Sequence, residues 1–226
     1  MINSLFSQFT PNTINFLPLN IISSCIAISW IFINFSSNSF PGNINYIWNN
    51  ILNNTNKLIF QNSKNNTAPW IPILITIFFI ILSINLTGLL PYAFTVTSHI
   101  SFTYSIATPL WLSINILGFF ISFNYRLSHL VPQGTPWYLI PLMIWIESIS
   151  LIAQPIALGL RLAANLTAGH LLIFLLSTAA WTINNIFIST ITTIILILLF
   201  ILEVAVACIQ AYVFTSLINF YIDQNI

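Results

Sequence analysis

Charge is nearly absent from this chain. Of its 226 residues only four are Lys or Arg and three Asp or Glu, so charged side chains make up 3%, against about 25% in ordinary soluble domains. A soluble globule is thereby excluded, and a net charge of +1 offers no footprint for a nucleic acid or other polyanion. Cysteine is scarce too. Cys25 and Cys208 stand far apart, each inside an apolar run, a pattern that fits neither a disulfide framework nor a metal site; both are expected to be small buried hydrophobes. No Gly-rich phosphate loop of the Walker type occurs, so no bound nucleotide is expected, nor any metal or other cofactor. The first residues carry no Arg-rich, Ser-rich amphipathic presequence and no basic region leading to a small-residue cleavage site, so the chain is expected to be inserted where it is made. An abundance of Asn, Ile and Phe, as an AT-rich genome would impose, adds the expectation that it is organelle-encoded.

Hydrophobic residues fill the space left by charge, at 58% with a mean hydropathy of +0.94. The apolar runs are too long and unbroken for barrel strands, and in lipid they span as helices whose backbone hydrogen bonds close internally. The expected fold is an all-α integral membrane protein, a single domain of about five membrane-embedded helices plus one surface amphipathic helix. Spans are expected at about 16–35, 70–92 and 102–123. Within 43–66, Ile44, Ile47, Ile51, Leu52, Leu58 and Ile59 recur at roughly helical spacing, which predicts a helix lying on the bilayer surface. A flexible loop is the alternative, because Asn is a weak helix former. Pro132, Gly134 and Pro136 mark 124–136 as a connector.

Two further apolar segments, 137–182 and 185–222, are too long to stand upright. Forty helical residues reach about 60 Å across a hydrocarbon core of about 30 Å, so the pair is expected to form a strongly tilted antiparallel hairpin, with Pro155 and Gly159 as a bending point. No internal repeat is visible, which disfavours a transporter built from inverted halves. Single crossings place Lys57, Lys64 and Arg126 on one face, the inner one by the positive-inside rule, with His99 outside and the C-terminal Asp223 inside.

Within 141–180 the only formally charged residues are Arg161 and Glu147. An Arg at the centre of a membrane helix costs roughly 2.5–3.5 kcal/mol on insertion scales. It does not release its proton, so it cannot carry protons, but it can act as a permanent positive charge on a nearby carboxylate. Glu147, Gln154 and Arg161 are seven apart and form one stripe, with Asn165 one turn beyond. Glu203 and Gln210 share a face of the second helix. Setting Gln210 beside Arg161 in an antiparallel pair brings Glu203 level with about position 168, beside His170. Glu147 then lies about 21 Å from Arg161 on the inner side, and His170 with Glu203 about 10–14 Å away on the outer side. Such a layout resembles two aqueous half-paths separated by a fixed cation that repels protons. Taken singly, Gln154, Asn165 and Gln210 also suit helix-to-helix hydrogen bonding, and His170 suits either that or proton relay.

The run Gly159-Leu-Arg161-Leu-Ala-Ala-Asn165-Leu-Thr-Ala-Gly169-His170 resembles the signature of subunit a of F-type ATP synthases, in the mitochondrial, animal-like form. Asn85-Leu-Thr-Gly-Leu-Leu-Pro91, Pro132-Gln-Gly-Thr-Pro136, Glu147-Ser-Ile-Ser150 and Glu203-Val-Ala-Val-Ala-Cys-Ile-Gln210-Ala-Tyr212 follow the family's order around it. The resemblance covers most of the chain after about Trp70. It implies a proton-translocating stator in the mitochondrial inner membrane, without a catalytic site of its own. Its implied partners are a rotating c-ring of small proteolipids, each bearing one essential carboxylate, the peripheral-stalk and other membrane subunits, and the bilayer. Arg161 would be the essential cation facing that carboxylate, His170 and Glu203 the outer relay, Glu147 the inner one, and Asn165 and Gln210 polar neighbours of the arginine. Bacterial relatives carry an acid at the position of His170 and a histidine at that of Glu203. Tyr221 fits a further family position. A self-contained channel or transporter, and a structural subunit of a respiratory complex, are the competing readings.

Overall fold

The computed structural model describes residues 13–14, 17–18, 25, 29, 42–60, 69–89, 95–121, 131, 135–182 and 185–225. Five long helices account for nearly all of them: α1, Gly42–Phe60; α2, Ile71–Gly88; α3, Ile100–Ile121; α4, Ile140–Thr182; and α5, Ile186–Asn225. The last four are long and apolar enough to cross a membrane. The protein is an all-α, multi-pass membrane protein. Most of the segment expected to span at 16–35 lies outside the described residues. Of the residues described there, Leu17–Pro18 pairs antiparallel with Thr13–Ile14, and Cys25 and Ser29 are helical. The stretches 61–66 and 90–92, and nearly all of the 124–136 connector, also fall outside.

Each helix begins and ends for a local reason. Pro72 enters the first turn of α2, where its missing N–H breaks no bond. At the other end Gly88 closes the helix, and the Leu89 N–H returns to the Leu86 carbonyl at 3.3 Å. A 3₁₀ turn at Val96–Ser98 leads into α3, another at Trp137–Leu139 into α4, and the Asn185 carbonyl opens α5 by accepting the Ser189 N–H at 3.0 Å. Pro109 and Pro155 lie inside α3 and α4 without ending them. Ser and Thr hydroxyl groups in the helices bond within their own helix, as the absence of water in lipid favours: Thr76 and Ser83 in α2, Ser105 in α3, Thr167 and Ser177 in α4 and Thr215 in α5 donate to carbonyls one turn back.

Packing is organised about α5. It lies against α2 and α4, while α3 packs chiefly on α4 and also meets α5, and α1 touches the α2–α5 pair. Leu74, Ile81, Ile114, Leu158, Leu162, Phe214, Ile218 and Ile222 form the continuous core. Ile59 and Phe60 join that core at the end where α2 begins and α5 finishes. The end of α1 is therefore docked on the bundle, while Tyr46, Ile51 and Leu58 remain exposed. Cys208 and Cys25 are exposed as well, contrary to the expectation of burial. Hydrophobic packing logic written for water does not sort apolar residues inward when lipid is as apolar as the core.

Candidate functional site

Contacts across three helix pairs set the register of the hairpin and its neighbours. His170 Nε2 lies 3.9 Å from Glu203 Oε1. A Cβ added at Gly169 would come within 2.6 Å of the same oxygen, so α4 and α5 run antiparallel with 169–170 facing 203. Counting back along ideal helices puts Arg161 level with about 211–212, one or two residues from Gln210, its expected neighbour. On the other side of α4, the Trp111 indole donates to Gln154 Oε1 at 3.2 Å and Tyr104 covers Gly159. In α2, Asn85 donates to the Ala207 carbonyl at 3.5 Å.

Glu203 is 5% exposed, and neither of its carboxylate oxygens has a hydrogen-bond partner among the described residues. His170 Nε2, Asn85 Oδ1 and Thr97 Oγ1 are likewise buried and unpaired. The registers place these groups at one level. Asn85 meets Ala207 one turn from Glu203, Gly88 abuts Thr95, and the Val96–Ser98 turn packs on α2, α3 and α4. Thr95, Thr97 and Ser98 are all buried there, with Thr95 Oγ1 donating to Ser98 Oγ at 2.8 Å. Clustered buried polar atoms lacking protein partners are the signature of groups hydrated by internal water.

Arg161 has a different setting. Its side chain is exposed on the face of α4 opposite the buried Gly159, and among the described residues it makes no hydrogen bond or ion pair. Tyr221 lies within electrostatic reach of the guanidinium. Asn165 and Gln210 are half-buried and Glu147 is partly exposed. Gln154 is engaged by Trp111, so it acts as a tie between helices α3 and α4.

Comparison with known proteins bears on this geometry. The family model described as "ATP synthase A chain" matches residues 17–223. The chain belongs to that family. It is 58% identical over 225 residues to ATP synthase subunit a of Paracentrotus lividus, covering 99% of this chain and 97% of that one. It is also 58% identical over 226 residues to the same subunit of Pisaster ochraceus, covering 100% and 99%. To ATP synthase F(0) complex subunit a of Xenopus laevis it is 42% identical over 228 residues, covering 99% of each. Proton transport and ATP synthesis follow from the family.

Three features of this family member escape reasoning from spacing alone. Thr97 lies in a short turn, where helical periodicity says nothing. Asp223, expected only as a residue beyond the last helix, is inside α5, which runs three residues further than the expected end at 222. Its Oδ1, like Asn219 Oδ1, is buried and unpaired. A ladder of residues four apart, Glu203, Ala207, Ala211, Thr215, Asn219 and Asp223, stays buried or half-buried as it winds about α5 by about 40° per step. Read as a ladder, it would have revealed both.

Proposed function

We propose that this chain is the proton-translocating stator of an F-type ATP synthase membrane sector in the mitochondrial inner membrane, and that it is organelle-encoded. The guanidinium of Arg161, exposed and without an ion-pair partner among the described residues, carries the reading. A cation on the outer face of a membrane helix needs an anion from outside the chain, and a carboxylate on a passing c-ring subunit supplies one. Arg161 holds that carboxylate ionised as it passes and bars protons from crossing directly between the two sides. Asn165 and Gln210 flank it, and Tyr221 shares its field.

The outer half-channel in this reading ends at the His170–Glu203 pair, which hands protons between the intermembrane side and the ring. The inner half-channel uses Glu147, with Asp223 at a comparable depth by the hairpin register. No conversion of nucleotide takes place on this chain; the proton flow it directs turns the ring, and peripheral-stalk subunits hold it still. A helix about 64 Å long, with exposed Trp137 in the turn that leads into it and exposed Trp181 in its last turn, must lean roughly 45–60° to keep both ends near the interfaces. That tilt lets the hairpin follow the curved wall of a ring.

Arg161→Gln in the whole complex is the test. The variant is expected to assemble with its ring yet to lose proton-coupled synthesis. Synthesis at the normal rate in the assembled variant would overturn the mechanism.

A further inference from the structure

We infer that Tyr104 of α3 is a positioning residue for Arg161, setting how far the guanidinium projects from the hairpin; this rests on the role of Arg161 given above. Successive helical residues are 100° apart, so Gly159 and Arg161, two apart, lie 200° from one another on α4. Gly159 is buried and Arg161 exposed. Whatever presses on the Gly159 face therefore moves Arg161 along the direction in which it points.

Tyr104 is what presses there. A Cβ at Gly159 would stand 3.2 Å from both Cδ1 and Cε1 of the Tyr104 ring and 3.4 Å from Cγ. The ring thus lies flush against the glycine backbone, with no room for a methyl group unless one helix yields by a few tenths of an ångström. The local stiffness of α4 makes that matter. Pro155 has no N–H to offer the Leu151 carbonyl, so the helix is short of one rung a single turn before Gly159. α3 grips it on both sides of the gap. Trp111 donates to Gln154 Oε1 at 3.2 Å, and the Tyr104 hydroxyl donates to the Ile156 carbonyl at 3.4 Å. Trp111 and Tyr104 are seven residues apart, hence on one stripe of α3. Together they form a two-point brace across the proline, with the tyrosine ring as the pad behind the arginine.

The consequence is a sensitivity of coupling to volume at a site that touches neither proton path nor ring. Misplacement by about 1 Å at a reacting centre can cost on the order of 100-fold, so a displacement of a few tenths predicts a severalfold loss. The experiment compares Gly159→Ala, Tyr104→Leu, Gly159→Ala/Tyr104→Leu and Tyr104→Phe in the intact complex in sealed vesicles. It reads assembled complex, protons pumped per ATP hydrolysed, and disulfide yield between Ala164→Cys, exposed beside Arg161, and a cysteine on the outer helix of the ring.

Each of Gly159→Ala and Tyr104→Leu is expected to lose pumping severalfold and to change the cross-linking yield in opposite directions. The double variant restores both, and Tyr104→Phe, which keeps the ring but drops the 3.4 Å hydroxyl bond, loses less than Tyr104→Leu. If Gly159→Ala fails to assemble, Tyr104→Leu and its rescue decide the matter. Normal pumping in Tyr104→Leu, or a loss that Gly159→Ala does not rescue, would overturn the inference. Arg161→Gln in the same assay separates the two claims: continued pumping there refutes the role of Arg161 itself, whereas its loss alongside unaffected Tyr104 variants refutes only the positioning.

Discussion

Gly169 is the position where adding a single carbon should hurt most. A methyl group there would sit 2.6 Å from Glu203 Oε1, 3.0 Å from Cδ and 3.3 Å from Cγ. Ordinary contact begins near 3.4 Å, so the carboxylate must retreat by about 0.8 Å, the difference between 3.4 and 2.6. It has little room to do so. Glu203 is 5% exposed and its oxygen faces His170 at 3.9 Å, so either α5 shifts or the side chain leaves its rotamer. Overpacking of this kind costs about 1–3 kcal/mol, equivalent to roughly 5- to 150-fold in an equilibrium. Gly169→Ala is therefore expected to assemble, to lower the stability of the complex by about 1–3 kcal/mol and, by displacing the Glu203 carboxylate, to slow pumping, read as earlier thermal dissociation and as ATP-driven acidification of inverted vesicles alongside the quantity of assembled complex. Adding Glu203→Asp, which shortens the acid by one methylene, should recover part of the loss. Full pumping in Gly169→Ala, or no gain in the double variant, would refute the placement of Glu203 against this glycine.

Asn85→Ala removes a fully buried side chain that donates to the Ala207 carbonyl; it should destabilise the assembled subunit by about 1–3 kcal/mol, visible as earlier thermal dissociation of the complex. Trp111→Phe deletes the donor to Gln154 and should cost about 1 kcal/mol, with assembly kept and dissociation temperature slightly lowered. Cys208→Ala alters an exposed side chain outside every contact described above, so stability is expected to stay within about 0.5 kcal/mol of wild type in the same melting assay.

The hairpin and its register were legible beforehand because they depend only on the rise and pitch of a helix. Once Arg161 and Gln210 were set level, Glu203 had to meet the His170 region, and the contact is there. Gln154 shows the limit of such reasoning. It belongs to the Glu147–Arg161 stripe by spacing, yet a tryptophan on a third helix claims its oxygen, and nothing in a single helix's periodicity names that partner. Thr97 was hidden for a related reason, since its depth comes from a turn held between α2, α3 and α4. The cysteines were misjudged because burial of apolar groups is a rule about water, and these helices face lipid. Tyr104 was ordinary in sequence; only the glycine beneath its ring gives it meaning.

The bare guanidinium of Arg161 also bears on how the subunit lives before it has a partner. Until the ring carboxylate proposed above reaches it, the newly inserted chain would hold an unneutralised charge against lipid, at a cost on the order of 2.5–3.5 kcal/mol, comparable to a sizeable fraction of a membrane domain's stability. An orphaned copy should be short-lived and open to membrane proteases, and docking to the ring should rescue it. Under the proposed function, Arg161 would thus also serve biogenesis, as a built-in signal that assembly is unfinished.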